Sequence, residues 1–191
     1  MGWYSLHSEP CRRLYRPREV VLAKTPTIRP ELPSDVEAIH ALTKAAFLNA
    51  PHSDHTEHFI VDALRQAGAL TVSLVAEEGG EVVGHVAVSP VSISDGTTGW
   101  YGLGPISVVP KRQRRGVGTL LMHGALRELR DFGAAGCVLL GDPAFYSRFG
   151  FRAWDGLVLP AVPPEYFQSL SFGGALPYGV VTYHAAFDTT G

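Results

Sequence analysis

Val108-Val109-Pro110-Lys111-Arg112-Gln113-Arg114-Arg115-Gly116-Val117-Gly118-Thr119 runs from β-branched residues through an arginine-rich turn into a segment with apolar residues at helical spacing. A strand, a polar bend and a helix start are predicted in that order. Glycines at 116 and 118 let the backbone approach another group closely. The first turn of a helix leaves amide N–H groups without internal partners, and the helix dipole favours negative charge there. Successive amides in such a bend can wrap a pyrophosphate, and Arg112, Arg114 and Arg115 add positive charge. The bend lacks the Gly-Lys-Ser/Thr ending of a Walker loop and the first glycine of a dinucleotide fingerprint.

Outward from this bend, Trp100 to Val109 reads as a long strand, with Gly102, Gly104 and Pro105 marking a bulge or a splayed end. Before it, Thr71–Glu77 and Glu81–Ser89 flank a Glu78-Gly79-Gly80 turn and form a hairpin. Further upstream, Ile28-Arg29-Pro30 ends a short strand. Ser34 and Glu37 are spaced as a capping box, opening a helix that carries Val36, Ile39, His40, Leu42 and Phe47 and stops before Pro51. A second helix spans Glu57 to Gln66. Downstream, Gly116 to Phe132 is amphipathic with Gly133 as its stop, and Cys137–Leu140 is a wholly apolar, central strand. A brief helix follows at Ala144–Phe149, and Val180–Phe187 is the expected last strand. The order predicts an α/β fold: a mixed, largely antiparallel central sheet of about six to seven strands with helices on both faces.

The chain has 191 residues, 46% hydrophobic and 18% charged, with a formal net charge of −2. That suits one globular domain, expected over residues 25–191, and argues against a nucleic-acid binder. No apolar run reaches the roughly 20 residues of a spanning helix, so no membrane partner is expected. Residues 1–24 carry Arg12, Arg13, Arg16 and Arg18 without a signal-peptide core and read as a flexible extension. Two cysteines, Cys11 and Cys137, make no disulfide framework, which fits a cytoplasmic protein. His52, His55 and His58 lie three apart beside Asp54 and Glu57, but they follow a proline into a helix start. A polar loop is the reading, and no metal is expected.

Gln113-Arg114-Arg115-Gly116-Val117-Gly118 resembles the Q/R-x-x-G-x-G/A motif of the GNAT superfamily of N-acetyltransferases. Gly141-Asp142-Pro143-Ala144-Phe145-Tyr146-Ser147-Arg148-Phe149-Gly150-Phe151 is similar to the segment after the following strand in the small bacterial branch of that superfamily. The likeness in element order runs from about Thr27 to Trp154; the last 35 or so residues are not placed by it. The resemblance implies the GNAT fold, with strands splayed at an acetyl-CoA cleft, and acetyl-CoA as co-substrate. The amides of Arg114, Arg115, Gly116, Val117, Gly118 and Thr119, with Gln113 leading the motif, are then the pyrophosphate site. The backbone of Val108 and Val109 pairs with the pantetheine arm, and an amide there polarises the thioester carbonyl. Trp100–Val109 and Cys137–Leu140 splay to admit the cofactor.

The resemblance also places Tyr146 near the thioester sulfur. A phenol titrates near 10 and an alkyl thiol near 8.5, so full proton transfer from tyrosine to thiolate is uphill by roughly 2 kcal/mol. Tyr146 is therefore expected to hydrogen-bond the departing thiolate or to give up its proton late. The amine must be neutral to attack, so something accepts a proton. Glu57, in the stretch lining the acceptor site in this family, and His85, on the hairpin, are the substrate-side candidates; a helix-start acid and a core histidine are the structural alternatives. Tyr101, Trp154, Tyr166, Phe167, Phe172 and Tyr178 either line an acceptor pocket or fill the core. The acceptor is a primary amine of a small molecule or protein, and the assembly a monomer or homodimer. The competing reading is a GNAT fold that holds acyl-CoA as a sensor or scaffold without catalysis.

Overall fold

The computed structural model describes residues 25–50 and 53–189. The extension expected over residues 1–24 lies outside them. The elements run β1 (Thr27–Pro30), α1 (Val36–Phe47), α2 (Glu57–Gln66), β2 (Val72–Glu78), β3 (Glu81–Pro90), β4 (Ser92–Ile93), β5 (Trp100–Val108), α3 (Val117–Asp131) and β6 (Gly136–Leu140). They continue with α4 (Pro143–Tyr146), β7 (Arg152–Ala153), β8 (Leu157–Val158), β9 (Phe167–Ser171) and β10 (Gly179–Thr182). Seven strands form the main sheet in the order β1-β2-β3-β5-β6-β9-β7, and β4-β10-β8 form a second, small sheet. Every pairing in the main sheet is antiparallel except β5 with β6, the pair joined through α3.

Alternation along the strands divides the core in two. Leu74, Val86 and Val88 face α3, whose buried stripe is Val117, Leu121, Met122, Ala125, Leu126 and Leu129. Their neighbours Val75 and Ala87 face the other way, onto Ile39 of α1 and Val61 of α2. The sheet is thus covered on both sides, as the binary pattern predicts.

The ladder between β5 and β6 is short. Only Trp100, Tyr101 and Gly102 pair, with Gly136, Cys137 and Val138. Beyond Gly102, β5 is held by β3 alone, and Leu139 and Leu140 of β6 are held by β9 alone. The register of β3 against β5 shifts between Val86 and Val88, which face Ile106 and Leu103. The additional residue lies in β5, within the expected Gly104-Pro105 interruption. The two central strands therefore part, leaving a cleft in the middle of the sheet.

Two expectations are corrected, and one strand is added. The first helix opens after a 3-10 turn at Pro33–Asp35, and Ser34 makes no capping bond. Asp35 does the local work instead: its Oδ2 accepts from Leu32 N at 2.7 Å and from Arg29 NH1 at 2.7 Å. An ion pair with a preceding arginine outweighs the capping-box spacing. The strand expected at Val180–Phe187 ends at Thr182 and belongs to the small sheet, while Ala185–Asp188 forms a 3-10 turn. The main sheet takes Phe167–Ser171 as its neighbour to β6. That strand buries Gln168 and Ser169, so it lacks the apolar alternation that would have revealed it. Gln168 is buried because its Nε2 donates to Gly141 O at 3.0 Å.

A polar network ties β1 to the α1/α2 face. Glu31 accepts from Arg65 Nε at 2.8 Å, from Arg65 NH2 at 2.9 Å, and from Ser73 Oγ. Burial opposes its ionisation, but the hydrogen bonds from Arg65 and Ser73, with His85 Nε2 close by at 3.6 Å, prevail and hold its carboxyl well below the usual range. A carboxyl depressed in the folded state contributes stability above its unfolded value of about 4.3 and loses it as pH falls below that value. Glu31→Gln is expected to lower the melting temperature at pH 7, with the difference from the parent chain shrinking progressively below about pH 4. Thermal unfolding across pH 2–8 measures this; a difference independent of pH would refute it.

Candidate active site

Strand β5 delivers Val108 and Val109 to a 3-10 turn at Pro110–Arg112, and α3 begins at Val117. Two left-handed residues bend the chain between them: Arg114 at φ 58° and Gly116 at φ 86°. The surrounding amides are occupied: Val109 N donates to Val83 O, Arg112 N to Val109 O, Gln113 N to Pro110 O and Leu120 N to Gly116 O. No such carbonyl partner is found among the described residues for the amides of 114–119. The bend predicted from the glycine pattern thus presents a run of unengaged donors. They open on a groove of about 490 Å³ lined by Gln113, Arg114, Gly116, Gly118 and Thr119 on one side and by Phe145 and Arg148 on the other. Ile106 and Val108 form its inner end.

The side chains of the bend separate. Arg114 lines the groove, whereas Arg112 is drawn away into an ion pair with Glu78. Arg115 is exposed and is not among the groove residues. Gln113 Nε2 donates to Val108 O at 3.1 Å, fastening the bend to the strand. Val109 does not offer its backbone to the cleft: its amide and carbonyl are taken by Val83 and Arg112. Successive residues of a strand turn their backbone groups to opposite edges. With Val109 N directed at β3, the amides of Val108 and Ile106 face the open edge. Ile106 is the residue that sequence reasoning missed here; its i, i+2 relation to Val108 was the available signal.

The opposite wall begins where β6 ends. Asp142 caps α4, accepting from Ala144 N at 2.8 Å. The Tyr146 ring lies directly over Gly141, where a Cβ would meet its Cε2 at 2.2 Å. Residue 141 must therefore be glycine for the ring to lie there. Phe145 meets Tyr146 edge-on at 4.9 Å, and Phe151 does so at 6.3 Å. Burial pushes the Tyr146 phenol up to about 12, with Asp142 adding to the effect. Arg148 stacks its guanidinium 4.6 Å from the Phe145 ring centre and donates Nε to Phe145 O at 2.9 Å. It is a groove residue that the motif contained but that was not singled out.

The two substrate-side candidates lie on the α1/α2 face. Glu57 opens α2; Ser53 Oγ donates to its Oε1 at 2.6 Å, and Oε2 is buried without a partner among the described residues. His85 is fully buried, its Nε2 2.8 Å from Ser73 Oγ. The single Ser73 hydrogen goes to Glu31, so His85 Nε2–H donates to Ser73 and Nδ1 carries the lone pair. Burial lowers the His85 pKa, partly opposed by Glu31, and keeps the ring neutral. This places His85 in the core network and not on the groove. Nor do the histidines of the α1–α2 connection converge. His55 Nδ1 bonds Phe47 O at 3.0 Å, His58 is buried against His40 and Phe59, and His52 is outside the described residues. Among the described residues no cluster of three metal-ligating side chains occurs, and no helix is long and apolar enough to cross a membrane.

A central sheet parted between two strands, with a donor-lined bend at the mouth of the gap, is the arrangement that the resemblance to GNAT acetyltransferases implies. Residues 27–154 match the profile of the Acetyltransferase (GNAT) domain family, and the chain belongs to that family. It is 42% identical over 126 residues to the uncharacterised N-acetyltransferase YhbS of Escherichia coli K12, covering 65% of this chain and 72% of YhbS. A GNAT family acetyltransferase from Brucella melitensis, solved in complex with acetyl-CoA, is 52% identical with a TM-score of 0.77, covering 85% of this chain and 98% of that one. Escherichia coli YhbS, solved in complex with CoA, superposes with a TM-score of 0.79 at 33% identity, covering 97% and 98% of the two chains.

The left-handed backbone at Gly116 allows a direct test of the bend. An L-residue in that conformation costs about 1–2 kcal/mol. Gly116→Ala is expected to lose about that much in urea unfolding, and an unchanged midpoint would show that residue 116 does not hold this conformation.

Proposed function

We propose that this chain transfers the acetyl group of acetyl-CoA, its co-substrate, to a primary amine of a small molecule or protein by direct attack on the thioester. The observation that carries this is the run of unengaged amides at 114–119, opening onto a groove that reaches Ile106 and Val108 on the part of β5 left unpaired by β6. Amide donors at a helix start, with the Arg114 guanidinium beside them, match a pyrophosphate. The groove narrows inward to Ile106 and Val108, whose open-edge backbone can pair with the amides of an extended pantetheine arm as a neighbouring strand would. The Val108 N–H, with the Val109 amide already occupied, is the donor left for the thioester carbonyl.

Attack by the amine nitrogen on that carbonyl carbon forms a C–N bond and moves the carbonyl electrons onto oxygen. A fixed N–H at this oxygen stabilises the charge as it develops. Collapse breaks the C–S bond; sulfur leaves with the electron pair, and the proton given up by the amine nitrogen passes through solvent water to the thiolate, so CoA departs as the thiol. Tyr146 keeps its own proton throughout the working range, since burial raises its pKa to about 12. It therefore serves the leaving sulfur as a hydrogen-bond donor. Glu57, with one carboxylate oxygen buried and without a described partner, is the proposed contact for the acceptor. His85 is assigned to the fold, because a fully buried ring in a core network does not meet an incoming amine.

Two variants test this reading. Gly116→Glu sets a carboxylate against the pyrophosphate; like-charge apposition of several kcal/mol is expected to weaken CoA at least about a hundredfold by calorimetry. Unchanged affinity would remove the cofactor assignment from this bend. Tyr146→Phe is expected to reduce turnover about 10- to 100-fold in a thiol-release assay across an amine panel, with acetyl-CoA affinity little changed. Unaltered turnover would exclude Tyr146 as the sulfur partner, and tight acetyl-CoA binding with no productive amine would favour a sensor or scaffold.

A further inference from the structure

Arg148 takes no part in the transfer steps, yet its guanidinium is fixed at the groove. Its Nε donates to Phe145 O at 2.9 Å. The guanidinium carbon lies 4.6 Å from the centre of the Phe145 ring and 6.0 Å from that of Phe149. A long side chain loses rotamer freedom when it is held, and this one is held although it is exposed. Nε is the only guanidinium atom with a hydrogen-bond partner among the described residues. Both terminal nitrogens are left for a ligand.

The place of Arg148 follows from the rings beneath it. Phe145 lies against the start of α3, where a Cβ on residue 118 would meet its Cζ at 3.7 Å. Phe149 meets His123, one turn further along α3 than Thr119, edge-on at 5.2 Å between centres. The two rings thus seat Arg148 beside the first turns of α3, across the groove from the bend and open to solvent.

On the acetyl-CoA reading above, the inner end of the groove holds the extended arm, and the amides of 114–119 with Arg114 hold the pyrophosphate. The part of the cofactor left on the solvent side is the adenosine with its 3′-phosphate. That phosphate is a monoester and carries about −1.5 to −2 charges at neutral pH, as phosphoserine does. A planar guanidinium with both terminal nitrogens free matches two oxygens of such a group at once.

Resting on that reading, we infer that Arg148 is a specificity residue for the cofactor: its two terminal nitrogens donate to oxygens of the 3′-phosphate, so the chain prefers CoA to 3′-dephospho-CoA. Arg114, which stands in the bend, serves the pyrophosphate, and that group is the same in both molecules.

Isothermal titration of the full chain with CoA and with dephospho-CoA is the test. The parent chain is expected to bind CoA at least about tenfold tighter. Arg148→Met keeps an apolar stem over the rings and removes the guanidinium. Its CoA affinity is expected to fall about tenfold or more, with dephospho-CoA affinity within about twofold of the parent. Arg148→Lys, which keeps the charge without the planar fork, is expected to retain part of the preference. Arg114→Gln is expected to weaken both ligands alike. A parent chain without the preference, an equal fall for both ligands in Arg148→Met, or a loss confined to CoA in Arg114→Gln would overturn the inference. Failure of the parent chain to bind either ligand would instead overturn the acetyl-CoA reading on which it rests.

Discussion

A ladder of only three residue pairs joins β5 to β6, and the chain beyond it has backbone with no neighbour on one side. Buried backbone polar groups are normally paired, so an interior edge of this kind marks a place made for another extended molecule. The rest of the molecule follows from holding that gap open. On one flank β3 grips β5 through the bulge at Gly104-Pro105; on the other, β9 grips all five residues of β6. The bend at 110–116 then sets a helix start at the mouth of the gap, and α4 sets aromatic side chains on the far wall.

Charge is arranged around this gap with some economy. Only one arginine of the bend lines the groove. A second is held by Glu78, and a third stands in solvent. The remaining positive charge comes from Arg148, stacked on Phe145 across the groove and anchored to its carbonyl. An anion at this mouth is therefore flanked by guanidinium groups from two elements, while the amides of the bend supply the short-range donors. On the opposite sheet face, the Glu31–Arg65 pair and the Ser73–His85 contact lock β1, α2, β2 and β3 together without reaching the groove.

What the sequence made legible was whatever rests on strong local rules. The Gln113–Gly118 motif, the amphipathic α3, the hairpin β2–β3 and the interruption of β5 each followed from glycine placement or periodicity, and each lies where expected. What it hid depended on distant partners. Strand β9 carries Gln168 and Ser169 toward the interior because Gly141 and Arg152 supply carbonyls for them, a condition no local pattern announces. Ser34 lost the helix start to Asp35 because Arg29 lies close in space. Val109 was read as facing the gap, but alternation turns its amide to Val83. Tyr183 was read within a strand that would have carried it onto the main sheet; its position over Gly102 depends on the small sheet formed by three separated segments.

That small sheet has a consequence for how the molecule is completed. Its middle strand pairs Val181 with Ile93 and Gly179 with Leu157, so it joins parts of the chain made far apart during synthesis. Contacts of such long loop closure form late, because their entropy must be met before they contribute. The roof over the apex of the gap is therefore set by a segment made after every strand of the main sheet. Until Gly179–Thr182 is made, the short strands β4 and β8 have no middle strand to join them, whereas every strand of the seven-stranded platform already lies upstream.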